Sequence, residues 1–281
     1  MFFTRLFSSI VLVLIALVTL ITGGGLLAAV LLFISIVAFL ELSKAMGVHE
    51  LEKRANGLEI TGILFVIALY LGIYFLKDDI FTIMALTGGF LAFMFVYVIS
   101  FPRFHASQVV AAFFAVVYAP MMLSFIYQTR ELKYGIYIVW LILISSWGCD
   151  TCAYVVGMAF GKTIGNHKIF PNLSPKKSLE GCIGGVVGAA LIGALYGYFL
   201  VENIVKEQES TWIFALICGV GAIFSQIGDL AASAIKRNHN IKDYGKLIPG
   251  HGGIMDRFDS VIVTAPMIYF LARLLMSFVL E

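Results

Sequence analysis

Long apolar runs, broken by short clusters of charged and turn-forming residues, follow one another from end to end of the chain. They fall at 6–22, 25–43, 58–76, 80–101, 106–127, 135–160, 182–201, 211–232 and 260–280. Each is near or above the roughly 18 residues at which an apolar stretch reads as a helix able to cross a bilayer. The pattern predicts an all-α, polytopic integral membrane protein with about nine transmembrane helices. Only Gly23, Gly24 and Gly25 part the first two runs, a tight turn that glycine's access to left-handed backbone permits. Without that break the number is eight. No small-residue cleavage site precedes a polar mature region, so Arg5 and the first run read as a span rather than a cleaved signal.

Composition narrows the class. Of 281 residues, 60% are hydrophobic and 13% charged, against about 25% charged in soluble domains. With a mean hydropathy of +0.97, a water-soluble globular domain is excluded. A net charge of +2 is too mild for a nucleic-acid partner, so the position of the charges matters more than their sum. Nine spans put the N-terminus and the connections near 44–57, 102–105, 161–181 and 233–259 on one side. That side holds 14 of the 19 Lys and Arg residues, and the other holds Lys77, Arg130, Lys133 and Lys206. By the positive-inside rule the richer side is cytosolic. The expected organisation is 1–134, five N-terminal spans, and 135–281, a C-terminal catalytic membrane region with two cytosolic loops (161–181 and 233–259). Localisation in the inner (cytoplasmic) membrane follows, with the N-terminus and the chemistry facing the cytosol.

Charges inside apolar runs need partners, since each costs about 3 kcal/mol or more at a helix centre unless paired or wet. Asp150 lies in the sixth run and Asp229 near the cytosolic end of the eighth. Asp229, Ser233 and Lys236 recur at i, i+4 and i+7, so carboxylate, hydroxyl and ammonium share a helix face. Asp256 and Asp259, three apart at the start of the ninth helix, can converge on one divalent cation. Three acids beside a basic loop are the pattern expected where Mg²⁺ and a polyphosphate are held together. Packing ion pairs, Asp229 with Lys236 or Arg237 and Asp256 with Arg257, satisfy the same spacing. Between them runs Pro249-Gly250-His251-Gly252-Gly253, with enough backbone freedom to point successive amides at an anion, or to make an ordinary turn. His251 is able to exchange a proton near neutral pH, or simply to hydrogen-bond in the loop.

Three patterns do not carry chemistry. Gly157 to Thr163 reads GMAFGKT, one residue short of a P-loop and at the end of a helix where a P-loop follows a strand. Cys149 and Cys152 make a C-x-x-C inside a span, without a second pair for zinc, so packing accounts for them better. All four cysteines, with Cys182 and Cys218, sit in or beside apolar stretches and give no secreted disulfide framework. In the seventh run Gly181 and Gly185, Gly184 and Gly188, and Gly193 and Gly197 are each four apart, which predicts close helix packing.

Ser233 to Asp259 reads SAIKRNHNIKDYGKLIPGHGGIMDRFD and closely resembles the signature of the CDP-diacylglycerol synthases, the phosphatidate cytidylyltransferases. The S-x-x-K-R start, the K-D pair, the P-G-H-G-G loop and the final D-R-x-D stand in order. Asp150 and Tyr154, then Gly157, Gly161 and Lys162, then Ser174-Pro175-Lys176-Lys177-Ser178 with Glu180-Gly181 resemble a second segment of that family. The resemblance covers residues 147–281, while the first five spans match only in being apolar. It implies the reaction of CTP with phosphatidic acid, a membrane lipid, to CDP-diacylglycerol and pyrophosphate, with Mg²⁺ as cofactor and a second cation allowed.

Carried over residue by residue, the resemblance makes Asp229, Asp256 and Asp259 metal ligands and, with Lys236, the catalytic set. Arg237 and Arg257 become candidates for phosphate contacts, with Gly252, Gly253 and His251 in the loop and Ser233 beside them. Lys176, Lys177 and Ser178 would close over the nucleotide, Glu180 would orient one of those lysines, and Asp150 and Tyr154 would line a polar interior. A homo-oligomer is compatible with all of this. Two other readings stay open on the residues: a CTP-dependent polyprenol or phytol kinase, which would release CDP, and an ion-coupled transporter using Asp150 and Asp229.

Overall fold

The computed structural model describes residues 2–49, 55–76, 79–160, 167–202, 210–250 and 252–280. Nine helices run through these described residues: α1 (Phe2–Thr22), α2 (Gly24–Ala45), α3 (Gly57–Phe75), α4 (Asp79–Ile99), α5 (Ala106–Glu131), α6 (Gly135–Ala159), α7 (Leu179–Leu200), α8 (Ser210–Asn238) and α9 (Met255–Leu280). Eight, α2 to α9, are long and apolar enough to cross a membrane, and α1 adds the shorter apolar stretch Phe7–Thr22. The first boundary holds because Gly23 and Gly24 take φ of 64° and 53°, backbone that residues with a Cβ seldom adopt. In α5, Pro120 has no N–H to donate, and the ladder passes it through a π-helical turn, Val117–Met121.

Helix ends depart from the apolar runs where polar caps decide them. α7 starts at Leu179, ahead of the run at 182, because the Ser178 side chain accepts the Gly181 N–H at 3.2 Å. α8 continues past 232 to Asn238. It stops where Asn240 turns left-handed (φ 55°), the Asn240 N–H reaches the Arg237 carbonyl, and the Ile241 N–H reaches that of Lys236 at 3.0 Å. Ser233, Lys236 and Arg237 are therefore helical. α9 begins at Met255, ahead of the run at 260, so Asp256 sits in its first turn.

The helices form two compact units, Met1–Gln128 with Ile235–Phe258, and Thr129–Ala234 with Asp259–Glu281. The units do not follow chain order, since the division falls inside both α8 and α9. In the first, Leu27, Leu31, Phe39, Leu42, Leu58, Val66, Leu69 and Leu123 are buried, and Gly62 lies so close under the Phe39 ring that a Cβ would overlap it. Contacts at one end of this unit set its topology. Ser8 Oγ donates to the Pro249 carbonyl at 3.2 Å and Gln108 Nε2 to the Gly47 carbonyl at 3.3 Å. With Glu41 near the end of α2 accepting the Ile254 N–H, the N-terminal part of α1, the turn after α2, the start of α5 and the loop before α9 share an end, as alternation of the helices requires.

The second unit is built on the glycine seam of α7. A Cβ on Gly185 would meet the Cys149 carbonyl and Sγ at 2.9 Å, and one on Gly188 would meet Cys152 Sγ at 2.5 Å. Backbone approach of this kind replaces the bulk that apolar side chains supply elsewhere, and it explains the C-x-x-C as two small residues facing two glycines. At the other end of the pair, Tyr196 Oη donates to the Tyr137 carbonyl at 3.0 Å. α8 and α9 come equally close, since a Cβ on Gly228 would meet the Asp259 carbonyl at 2.8 Å.

Candidate active site

In the first unit the candidate residues gather around one carboxylate. Asp256 Oδ1 accepts Lys236 Nζ at 3.0 Å, and Oδ2 accepts the N–H groups of Tyr244 at 2.8 Å and Gly253 at 3.0 Å. The side chains of Lys236 and Asp256 are only 16% and 4% exposed, so this is a desolvated, charge-assisted pair. The Tyr244 ring lies 5.4 Å from the same ammonium, in range for a cation–π contact. Three accepted bonds leave about one of a carboxylate's four lone-pair positions for another partner.

The loop that supplies those amides is tightly turned. Ile248 N–H meets the Gly252 carbonyl at 2.9 Å, with Gly250 and Gly252 at φ of 78° and 89°. Here glycine is required twice over at Gly252, because a Cβ would also stand 2.8 Å from Asp256 Oδ2. His251 lies outside the described residues. Arg237 and Arg257 are exposed, the first at the end of α8 and the second in the opening turn of α9.

In the second unit Lys177 Nζ pairs with Asp229 Oδ2 at 2.6 Å and reaches the Gln226 carbonyl at 3.4 Å. The Asp229 side chain remains 31% exposed. Asp150 is within electrostatic range of both the Asp229 carboxylate and the Lys177 ammonium, so a second acid stands near the cation that the loop before α7 supplies. Gln226 ties the cluster to its frame, its amide donating to the Cys182 carbonyl at 2.9 Å and to Cys149 Sγ at 3.4 Å. Asp259 Oδ1 accepts its neighbour Ser260 N–H at 2.8 Å. Because Gly228 touches the Asp259 backbone, the turns bearing Asp229 and Asp259 are adjacent.

Several expectations change in detail. Neither Asp takes the partner that sequence spacing suggested: Asp229 is held by Lys177 and Asp256 by Lys236. Among the described residues Glu180 pairs with His167 and not with a lysine. Its carboxylate accepts from the His167 N–H and meets His167 Nδ1 at 2.5 Å, fastening the start of α7 to the loop before it. Lys176 is exposed and its carbonyl accepts Lys168 Nζ at 3.1 Å. Tyr154 does not line an interior, being 66% exposed on α6, and Asp150 on the same helix is accessible too. Ser233 is half-buried, one turn beyond Asp229. Among the described residues no group of three or more His, Cys, Asp or Glu side chains forms a ready-made metal cage. Sequence reasoning passed over Glu41, Gln226 and His167. The first two had a signal of the kind used for Asp150, a polar side chain inside an apolar run.

A profile of the cytidylyltransferase family matches residues 3–275, and the chain belongs to that family. The phosphatidate cytidylyltransferase of Staphylococcus haemolyticus is 28% identical over 271 residues, 94% of this chain and 96% of that protein. That of Staphylococcus epidermidis is 30% identical over 270 residues, with the same shares. The corresponding protein of Bacillus subtilis is 35% identical over 162 residues, 57% of this chain and little more than half, 56%, of that protein.

Proposed function

We propose that the chain transfers a cytidylyl group from CTP to phosphatidic acid, forming CDP-diacylglycerol and pyrophosphate. The observation that carries the reading is the family match over residues 3–275 in a chain of membrane-crossing helices. A phosphate oxygen of phosphatidic acid attacks the α-phosphorus of CTP. A new P–O–P bridge forms as the α–β bridge breaks, and pyrophosphate takes the bond electrons. Phosphate is already ionised, so the site has to position and neutralise more than to remove a proton. Lys177 and Lys236 carry the positive charge into the two carboxylate clusters, and the glycine turn before α9 already receives one carboxylate, that of Asp256, on the Gly253 N–H.

The donor chemistry fits a hard divalent cation, since the acids offer oxygen alone. Asp229 and Asp259 would hold Mg²⁺ within the second unit, Asp256 is assigned as a further ligand on the resemblance alone, and a second cation is allowed; bound, the metal would neutralise phosphate charge. The adjacency of the Asp229 and Asp259 turns supports those two, and Asp256 keeps one lone-pair position free for the role. The excess of Lys and Arg on the side of the candidate loops supports a cytosolic active site and N-terminus in a cytoplasmic membrane. The test is purified protein in detergent with labelled CTP, phosphatidic acid and Mg²⁺. The expected products are labelled lipid and pyrophosphate, with loss on chelation. Release of CDP instead would mean a kinase. Mn²⁺ bound to the wild type, followed by its magnetic resonance signal, should be released in Asp259→Asn.

A further inference from the structure

Glu41 belongs to no motif, yet it is the side chain that fixes the opening of α9. The first N–H groups of a helix have no partner within it. Those of Ile254 and Met255 donate to Glu41 Oε1 at 3.1 Å and Oε2 at 2.9 Å, so one carboxylate on α2 caps the turn that carries Asp256. A negative group there also suits the helix dipole. The same carboxylate is pressed between Gly245 and Gly253: a Cβ on either would overlap its oxygens. It also lies within electrostatic range of Asp256. The loop from Tyr244 to Gly253, which supplies two amides to Asp256, is therefore moulded around a side chain from the motif-free half of the chain.

We propose that Glu41 is a positioning residue for nucleotide binding, holding the glycine loop and the Lys236–Asp256 pair in the shape that receives the CTP phosphates. This rests on the cytidylyl-transfer reading for the identity of the ligand. A side chain that merely filled space would be replaced without loss by glutamine, which has the same shape. Glutamine, however, sets an N–H₂ group against one of the two backbone N–H donors.

The test uses full-length protein in detergent. It follows CTP binding by the shift of melting temperature with CTP concentration, and measures kcat and KM separately for CTP and for phosphatidic acid. Glu41→Gln should lower kcat/KM for CTP about tenfold, as loss of an outer-shell partner does elsewhere. The KM for phosphatidic acid should stay near the wild-type value, while the ligand-free melting temperature falls modestly because one backbone N–H loses its acceptor. Gly253→Ala should reproduce the CTP defect in the wild-type background. In Glu41→Ala it should add little, because the group it collides with is gone.

Wild-type CTP parameters in Glu41→Gln would overturn the proposal, as would equal losses for both substrates or additive effects of the two alanine substitutions. If the wild type makes no CDP-diacylglycerol, the assigned reaction fails on that result alone. The CTP-binding comparison still decides the role of Glu41.

Discussion

Asp256 and Asp229 are both acids paired with lysines, and their surroundings are opposite. Asp256 is almost sealed, with both oxygens engaged by Lys236 and two main-chain amides. Asp229 is nearly a third exposed, has the Lys177 ammonium as its ion-pair partner, and has Asp150 within electrostatic range. The first arrangement fixes a loop, because no atom of it can leave without stranding a buried charge or amide. The second can exchange partners, because solvent, a metal or a phosphate can replace what it gives up. Identical residue types thus divide into a scaffold and a moving part through burial and backbone bonding alone.

Substitutions at the two positions should therefore fail in different ways. Asp229→Asn should give the largest loss of turnover, on the order of 10³-fold, as removal of a transition-state electrostatic contact does, while the melting temperature moves little. A large fall in melting temperature would remove the distinction. Asp256→Ala should lose activity through the fold, since it strands Lys236 and two N–H groups. Breaking such a buried pair costs about 3–5 kcal/mol, which thermal unfolding in detergent will read. Lys177→Ala should raise the KM for CTP roughly tenfold, the scale of about 1.4 kcal/mol, with stability nearly unchanged. An unchanged KM with lower stability would make Lys177 a scaffold residue like Lys236. Gln226→Leu should have the smallest effect, about 1–3 kcal/mol of stability from the bonds it leaves unmade, with turnover kept within severalfold.

Much of the architecture was legible in the chain because hydropathy reports the environment of a whole helix. The nine runs, the break at Gly23–Gly24 and the glycine seam of α7 all depend on local composition. Helix ends were less legible, because Ser178 and Asn240 act through hydrogen bonds that lie outside the apolar pattern. The candidate residues of the signature were found, but their pairing was not. Spacing along one helix favours Asp229 with Lys236, whereas the structure gives each acid a lysine from a separate segment. The role of Glu41 was hidden for the same reason, although a charge inside an apolar run marked the residue. Its partners are main-chain groups more than two hundred residues away, and no periodicity encodes them.

The six residues by which α8 outlasts its apolar run, up to Asn238, set a height. At 1.5 Å per residue they carry the helix roughly 9 Å beyond the end of that run, comparable with the depth of a lipid headgroup layer. On the proposed cytosolic placement of the active site, Lys236 would stand at the level of the lipid phosphates. On that reading the acceptor need not be hauled into water or drawn down into the oil; it would drift sideways to the enzyme within its own leaflet, and the soluble nucleotide would make the longer approach.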